Sequence, residues 1–275
     1  MLKRQLLEEV ALLSKLNSLR RLRILFMSLD PTRRFSGREE AYSNYRPRYP
    51  AEILRILEST LNLQESDVVA DIGSGTGILA ELFLKNGNRV FGVEPNNDMR
   101  HMAERNLSKY SNFISVDGSA EDTKLRESSI DLITVGQALH WFDLSRSRIE
   151  FQRILTKGGN LCIVYNTRSV NEPVMREYGD IVRLHAKKEI PMNEYAAPDG
   201  LLGSSYSEFN VPNKQHLDFD GLVGRAVSAS YSPGYDDEGF SDLERDLKIM
   251  FEKWQTEGTV TLDYLTKIFI GHLTS

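Results

Sequence analysis

The chain has 275 residues, 40% hydrophobic and 27% charged, a balance that suits an ordinary soluble globular protein with a sizeable core. Its formal net charge of −5 argues against a dedicated nucleic-acid binder, because neutralising phosphates takes a basic face. The single cysteine, Cys162, excludes a disulfide within the chain and fits a reducing, cytoplasmic setting, and no apolar run is long enough to span a membrane.

Residues 1–26, MLKRQLLEEVALLSKLNSLRRLRILF, space leucines at near-helical intervals and carry six Lys or Arg against Glu8 and Glu9. The pattern predicts a basic amphipathic helix that packs on the protein, docks on a partner or lies on a membrane surface. The two acids speak against an organelle transit peptide, and Met27 is an alternative start. Residues 1–32 are therefore set apart as an extension, with the main domain expected over 33–275.

From residue 50 short apolar runs alternate with helical patterns. DVVADIG (67–73) reads as a strand and TGILAELFLKNG as a helix with Gly87 at its C-cap. RVFGVE (89–94) is the next strand, and NNDMRHMAERNLSKY the next helix. FISV (113–116), IDLITVG (130–136) and NLCIVYN (160–166) are further strands, with a helix at about 145–155. This alternation predicts a mostly parallel sheet with helices on both faces and a ligand at the carboxyl ends of its strands. Residues 168–235 break the rhythm with prolines, glycines and polar loops around a helix at 172–188, and read as an inserted lid or substrate subdomain. An amphipathic helix (236–255) and an alternating strand, TVTLDYLTKIFIG, close the chain.

Gly73, Gly75 and Gly77 fall between the first strand and its helix, where a backbone without Cβ can touch a nucleotide-type ligand. A Walker phosphate loop needs Gly-Lys-Ser/Thr at its end, and that triplet is absent. A dinucleotide loop wants G-x-G-x-x-G, whereas this one is G-x-G-x-G with Ile78 at the following position; Glu94 could still take a ribose hydroxyl, so a nicotinamide cofactor stays open. The third reading is S-adenosylmethionine. VADIGSGTG resembles motif I of class I S-adenosylmethionine-dependent methyltransferases, and GVEPNNDM (92–99) resembles the acidic loop that follows it. DGSAEDTKLRESSIDLITVGQALHWFD (117–143) is similar to the corresponding stretch of type-11 methyltransferases, in particular the trans-aconitate-methyltransferase-like branch. RFSGREEAYSNYRPRYP (34–50), SASYSP (228–233) and DYLTKIFIGHL (263–273) look like that branch's cap and closing segments, so the likeness spans about 33–273.

The resemblance implies a Rossmann-like fold with a mostly parallel seven-stranded sheet and an inserted lid. It implies that Gly73, Ser74 and Gly75 lie against the methionine part of the cofactor and that Asp71 favours its ammonium group, unless that acid only fixes the loop. Glu94 would accept from both ribose hydroxyls, with Pro95 and Met99 beside the adenine. Ser119, Ala120 and Glu121 would also border the adenine, although many relatives have an acid where Ser119 stands. Gly136 and Gln137 would face the sulfonium, and Arg46 would pair with the cofactor's carboxylate.

His140 and Trp141 follow the fourth strand, where the transferable methyl is expected, so His140 is the candidate base or anion-orienting group. Tyr45, Tyr49, Arg168 and Tyr231 are the candidates on the substrate side, and an arginine there favours a carboxylated small molecule. No His/Cys/Asp/Glu cluster has metal-ligand spacing. The expected activity is methyl transfer to a small acid, the competing class a non-catalytic binder of S-adenosylmethionine or S-adenosylhomocysteine acting as a partner or sensor.

Overall fold

A computed structural model describes residues 38–187 and 197–273. The amphipathic helix expected over 1–26 and the rest of the 1–32 extension lie outside the described residues.

The described chain opens with α1 (Glu39–Tyr45) and α2 (Glu52–Leu61), then runs β1 (Val68–Ile72), α3 (Ile78–Lys85), β2 (Arg89–Val93), α4 (Asn97–Asn106) and β3 (Phe113–Val116). It continues through β4 (Ile130–Gly136), a 3-10 turn (Leu139–Trp141), α5 (Leu144–Ile154), β5 (Leu155–Arg168), α6 (Pro173–Leu184) and α7 (Asp199–Leu202). β6 (Ser207–Leu217), α8 (Phe219–Val227), α9 (Phe240–Trp254) and β7 (Val260–Gly271) complete it. The seven strands form one sheet in the order β3-β2-β1-β4-β5-β7-β6. β1 to β5 are parallel, while β7 runs antiparallel to β5 and β6 antiparallel to β7. This is a Rossmann-like sheet, as the alternation of elements predicts. The order reverses between β1 and β4, and the carboxyl ends of these two strands mark the place where such sheets hold ligands.

Alternate residues of the central strands serve two apolar layers. Val69, Leu132, Cys162 and Val164 pack on one side against Ile53 and Leu57 of α2 and Leu79 and Phe83 of α3. Ala70, Ile72, Ile133, Val135, Leu161 and Ile163 pack on the other against Phe151 and Ile154 of α5 and Leu201 and Leu202 of α7. A strand buried on both faces in this way reads as a continuous apolar run, which is how β1, β4 and β5 show in the sequence.

A third apolar cluster lies beside the sheet and joins α6, α8 and α9 to the first half of β7 through Tyr178, Leu222, Leu247 and Leu262. It draws on much of the stretch expected as a lid, 168–235. Within that stretch, however, β6 is the outer strand of the sheet itself. Pro212 sits in it without harm because an edge strand has one side free of ladder bonds. Among the described residues no helix is long and apolar enough to cross a membrane.

Candidate functional site

The glycine turn links β1 to α3, and Gly73, Gly75 and Gly77 all take left-handed φ values of +68°, +55° and +84°. Two of the three are also required by packing. A Cβ on Gly73 would lie 2.7 Å from the Ala138 Cβ, and one on Gly77 would lie 2.6 Å from a Leu107 methyl. Gly75 meets nothing nearer than the Met99 methyl at 3.5 Å, so the open backbone of the turn is centred there. The Gly73 and Ser74 amides both donate to the Val93 carbonyl, which ties the turn to the end of β2.

Beneath the turn, Asp71 is 1% exposed. Thr134 Oγ1 donates to its Oδ1 at 3.0 Å, while Oδ2 is buried without a partner. Burial pushes the carboxyl up to about 7, against the hydrogen bond from Thr134 and a weaker pull from the Ala80 amide. Glu94, at the end of β2, is also buried, and burial raises its pKa as well. Its two oxygens accept from the Gly75 amide (2.9 Å) and the Asn96 amide (2.8 Å), leaving lone pairs for a further donor. Met99 is buried below Gly75 and Pro95 is half-buried beside it. Opposite, the Ser119 and Asp122 backbones bond to each other, Ala120 joins the apolar layer, and the Glu121 carboxylate accepts from the Asp143 amide at 2.9 Å.

One cleft gathers Arg46, Tyr49, Asp71, Gly73, Ser74, Gly75, Gly136, Gln137 and Arg168 of the residues singled out in the sequence. Glu94, Pro95, Met99 and Ser119 to Glu121 lie outside its lining, on the β2–β3 side of the glycine turn. Gln137 is left-handed at φ +58°, unusual for a side chain of its size, and its amide donates to the Asn166 carbonyl at 3.1 Å. Arg46 leaves α1 into the cleft, stacks over the Tyr42 ring at 4.7 Å and donates to the Ser228 carbonyl at 3.0 Å, while its Nε is buried without a partner. Arg168, the last residue of β5, donates to the Tyr231 hydroxyl at 2.6 Å, so Tyr231 stands behind it.

Of the expected catalytic and substrate-side residues, Tyr45, Tyr231, His140 and Trp141 are not among those that line the cleft. Tyr45 presses its ring on α8 at Gly224, where any Cβ would overlap it. His140 is exposed on the 3-10 turn, and its ring lies 4.5 Å from that of Trp141. That turn follows directly on the left-handed Gln137, the last residue of this stretch to line the cleft. The cleft gains Tyr42, Pro47, Ile78, Leu79, Asn166 and Arg225, which the sequence reading did not select. Arg225 had a signal of its own: a lone cation in GLVGRAV, a stretch otherwise small and apolar that is buried throughout.

The segment that roofs the cleft is held by amide side chains of the sheet. Asn166 of β5 donates to the Pro47 and Arg48 carbonyls at 3.3 and 3.4 Å, Asn213 of β6 to Arg48 at 2.8 Å, and Gln215 to Tyr45 at 2.8 Å. Among the described residues no three His, Cys, Asp or Glu side chains converge as metal ligands do.

Residues 70–163 match a family model described as a methyltransferase domain. The chain is 33% identical over 153 residues to an uncharacterized methyltransferase of Mycobacterium tuberculosis, an alignment covering 56% of this chain and 60% of the relative. It is 29% identical over 210 residues, 73% of each chain, to a malonyl-[acyl-carrier protein] O-methyltransferase of Marinomonas sp.. The chain thus spans about 60% of the length of the first curated relatives it matches. Among solved structures, one described as a type II methyltransferase from Anaeromyxobacter dehalogenans superimposes with a TM-score of 0.59 at 21% identity, over 83% of this chain and 98% of that one, a likeness of fold.

Proposed function

We propose that this chain, which carries a class I methyltransferase domain and takes S-adenosylmethionine as its cofactor, methylates a carboxylate of a small organic acid. The observation that carries the reading is the unpartnered, buried Oδ2 of Asp71, set under the open backbone of Gly75 in the same cleft as Arg46 and Arg168. A buried carboxylate oxygen without a donor is costly, and an ammonium group of the cofactor supplies the missing one. Arg46 holds the neighbouring carboxylate, and the lone pairs left on Glu94 take the ribose hydroxyls. These residues fit the cofactor.

When bound, the cofactor supplies a methyl group on a cationic sulfur, already activated for in-line displacement. What the chain adds is position and dryness. Tyr49 and Leu79 narrow the floor at Gly136, where a Cβ would come within 2.8 Å of the Tyr49 hydroxyl. Arg168, steadied by Tyr231, offers an acidic acceptor its counter-charge. A carboxylate needs no proton removed before it attacks, so His140, exposed on the 3-10 turn, has no base role to fill. The O-methyltransferase name of the Marinomonas relative, with its malonyl acceptor, points the same way.

Incubation with S-adenosylmethionine and a panel of small acids, read by mass spectrometry for S-adenosylhomocysteine and the methyl ester, tests the proposal. Ester formation supports it. Tight cofactor binding without turnover on any acid would overturn it in favour of a non-catalytic binding protein.

A further inference from the structure

The C-terminal end of α8 is buried, and it draws its outermost donors from the segment that leads into the cleft. Val227, Ser228 and Ala229 are 2%, 0% and 1% exposed, so water is not at hand for the carbonyls that a helix leaves open there. Part of the need is met locally. The Gly224 carbonyl accepts from the Ser228 amide, the Arg225 carbonyl from the Ser228 hydroxyl, and the Ala226 carbonyl from the Ala229 amide. The next three carbonyls are met by two arginines. Arg38 Nη1 donates to Val227 at 3.0 Å and to Ala229 at 2.7 Å, the latter also accepting from the Ser232 amide. Arg46 Nη2 donates to Ser228, between those two, at 3.0 Å.

These arginines bracket α1, Arg38 at its N-cap and Arg46 at its C-cap. They border different spaces. Arg46 lines the cleft, whereas Arg38 borders a separate hollow together with Tyr235 and Asp237. Arg38 Nη2 lies 3.5 Å from the Asp237 carboxylate, which Lys187 (2.8 Å) and the Gly234 amide (2.7 Å) hold in turn. Both arms of the Arg38 fork are therefore engaged outside the cleft.

Arg46 has one arm on Ser228, and its Nε is buried without a partner. A helix C-terminus carries a partial negative charge, and a guanidinium is drawn to the carbonyls that stand open on it. Without Arg38, Val227 and Ala229 flank the one carbonyl that Arg46 already binds, and Val227 has lost its donor. Arg46 is then drawn along the helix end, and its hold on an anion in the cleft loosens. We propose that Arg38 is a positioning residue for cofactor binding: by satisfying the carbonyls on both sides of Ser228, it keeps Arg46 where it meets the carboxylate of S-adenosylmethionine. This rests on the pairing of Arg46 with that carboxylate proposed above, and on nothing about the acceptor.

Calorimetry on the full chain with two ligands tests it. One is S-adenosylhomocysteine; the other is its decarboxylated form, 5′-(3-aminopropylthio)adenosine, which keeps the ammonium group and lacks only the carboxylate. The unmodified protein is expected to prefer S-adenosylhomocysteine by about tenfold or more, and Arg46→Met to reduce that preference to under about twofold. Arg38→Met is expected to cut the preference by about threefold or more, while the decarboxylated ligand binds within about twofold of its original affinity. Arg38→Lys, which keeps a point charge and loses the fork, should lose less than Arg38→Met. In the double variant the preference is no lower than in Arg46→Met alone, because Arg38 acts through Arg46.

A merely structural role weakens both ligands together and leaves the preference as it was, and that result in Arg38→Met overturns the proposal. Where Arg38→Met does not fold, Arg38→Lys decides by the same ratio, and a preference equal to that of the unmodified protein overturns it. If the preference responds to Arg46 alone, the cofactor pairing stands and the role of Arg38 falls. If the unmodified protein binds both ligands equally, the pairing falls and the role of Arg38 with it, while methyl transfer keeps its own test.

Discussion

Asp71 carries the most direct consequence of burial on a single group. Its carboxyl is raised to about 7, so in the proposed cofactor complex a proton competes near neutral pH with the ammonium group for the same oxygen. Affinity for S-adenosylmethionine, measured by calorimetry, is expected to weaken by roughly tenfold per pH unit below about 7 and to level off above it. A dissociation constant flat from pH 5.5 to 8 would refute this. The stability of the ligand-free protein moves the other way. A carboxyl whose folded-state pKa is raised stabilises the fold at low pH and loses that contribution as pH climbs through about 7, and the raised Glu94 acts in the same sense. The thermal shift on adding cofactor therefore grows from pH 6 to pH 8.

The glycines of the turn separate in the same way when taken one at a time. Gly73→Ala meets both a left-handed φ and the Ala138 methyl, and is expected to lower stability by about 2 kcal/mol or more in urea denaturation. Gly75→Ala faces the φ cost of about 1 kcal/mol alone and should lose cofactor affinity out of proportion to stability. In the sequence the glycines look equivalent, all three available to touch a ligand. In the fold only Gly75 leaves that room, because Ala138 and Leu107, 65 and 30 residues away along the chain, close on the other two.

At the scale of elements, α5 is locked to the loop that precedes β4 by Glu150. Its Oε1 accepts from the Thr123 amide (2.8 Å), the Thr123 hydroxyl (2.5 Å) and Arg153 (2.7 Å), and these bonds, that to Arg153 first, hold the carboxyl down at about 2. The contribution is complete above the ordinary carboxylate range and is lost as pH falls toward about 2. Glu150→Gln is expected to lower the unfolding free energy by about 1–3 kcal/mol and to speed hydrogen exchange across 117–125, with the glycine turn unaffected. His140→Ala, on the exposed 3-10 turn, should keep kcat within about twofold for a carboxylate acceptor, and a hundredfold loss would restore a catalytic role to that imidazole.

Elements buried on both faces or one strong face were the legible ones: β1, β4, β5, α3 and β7 announce themselves by period. β6 did not. Its residues alternate between exposed and half-buried, with a proline in the middle and polar groups on both faces, so neither a period nor an apolar run marks it. For His140 and Trp141, position after a strand fixes the end of the sheet but not the direction in which the next turn bends, and neither is among the lining residues.

For the molecule as a whole, the place of the cleft followed from strand order, and strand order from the alternation of elements. Its Arg225 did not follow, because that residue reaches the cleft from α8, which packs beside the sheet with α6, α9 and β7 in the third apolar cluster. Residues joined only by tertiary packing leave no spacing to count.

The amide side chains that fasten the roof, Asn166, Asn213 and Gln215, have a kinetic consequence. Each neutral hydrogen bond contributes on the order of 1 kcal/mol, so the seam at Tyr45, Pro47 and Arg48 is firm between reactions and still opens without unfolding the sheet. In the proposed reaction both products leave past this seam. With an acceptor acid of the proposed kind, rapid mixing is expected to show a burst of methylated product in the first turnover followed by a slower steady state. Asn213→Ala should shorten the residence of S-adenosylhomocysteine, raise kcat and raise KM, with the burst diminished. The dwell time of a spent cofactor, set by three amides on two strands, would then be the clock of the catalytic cycle.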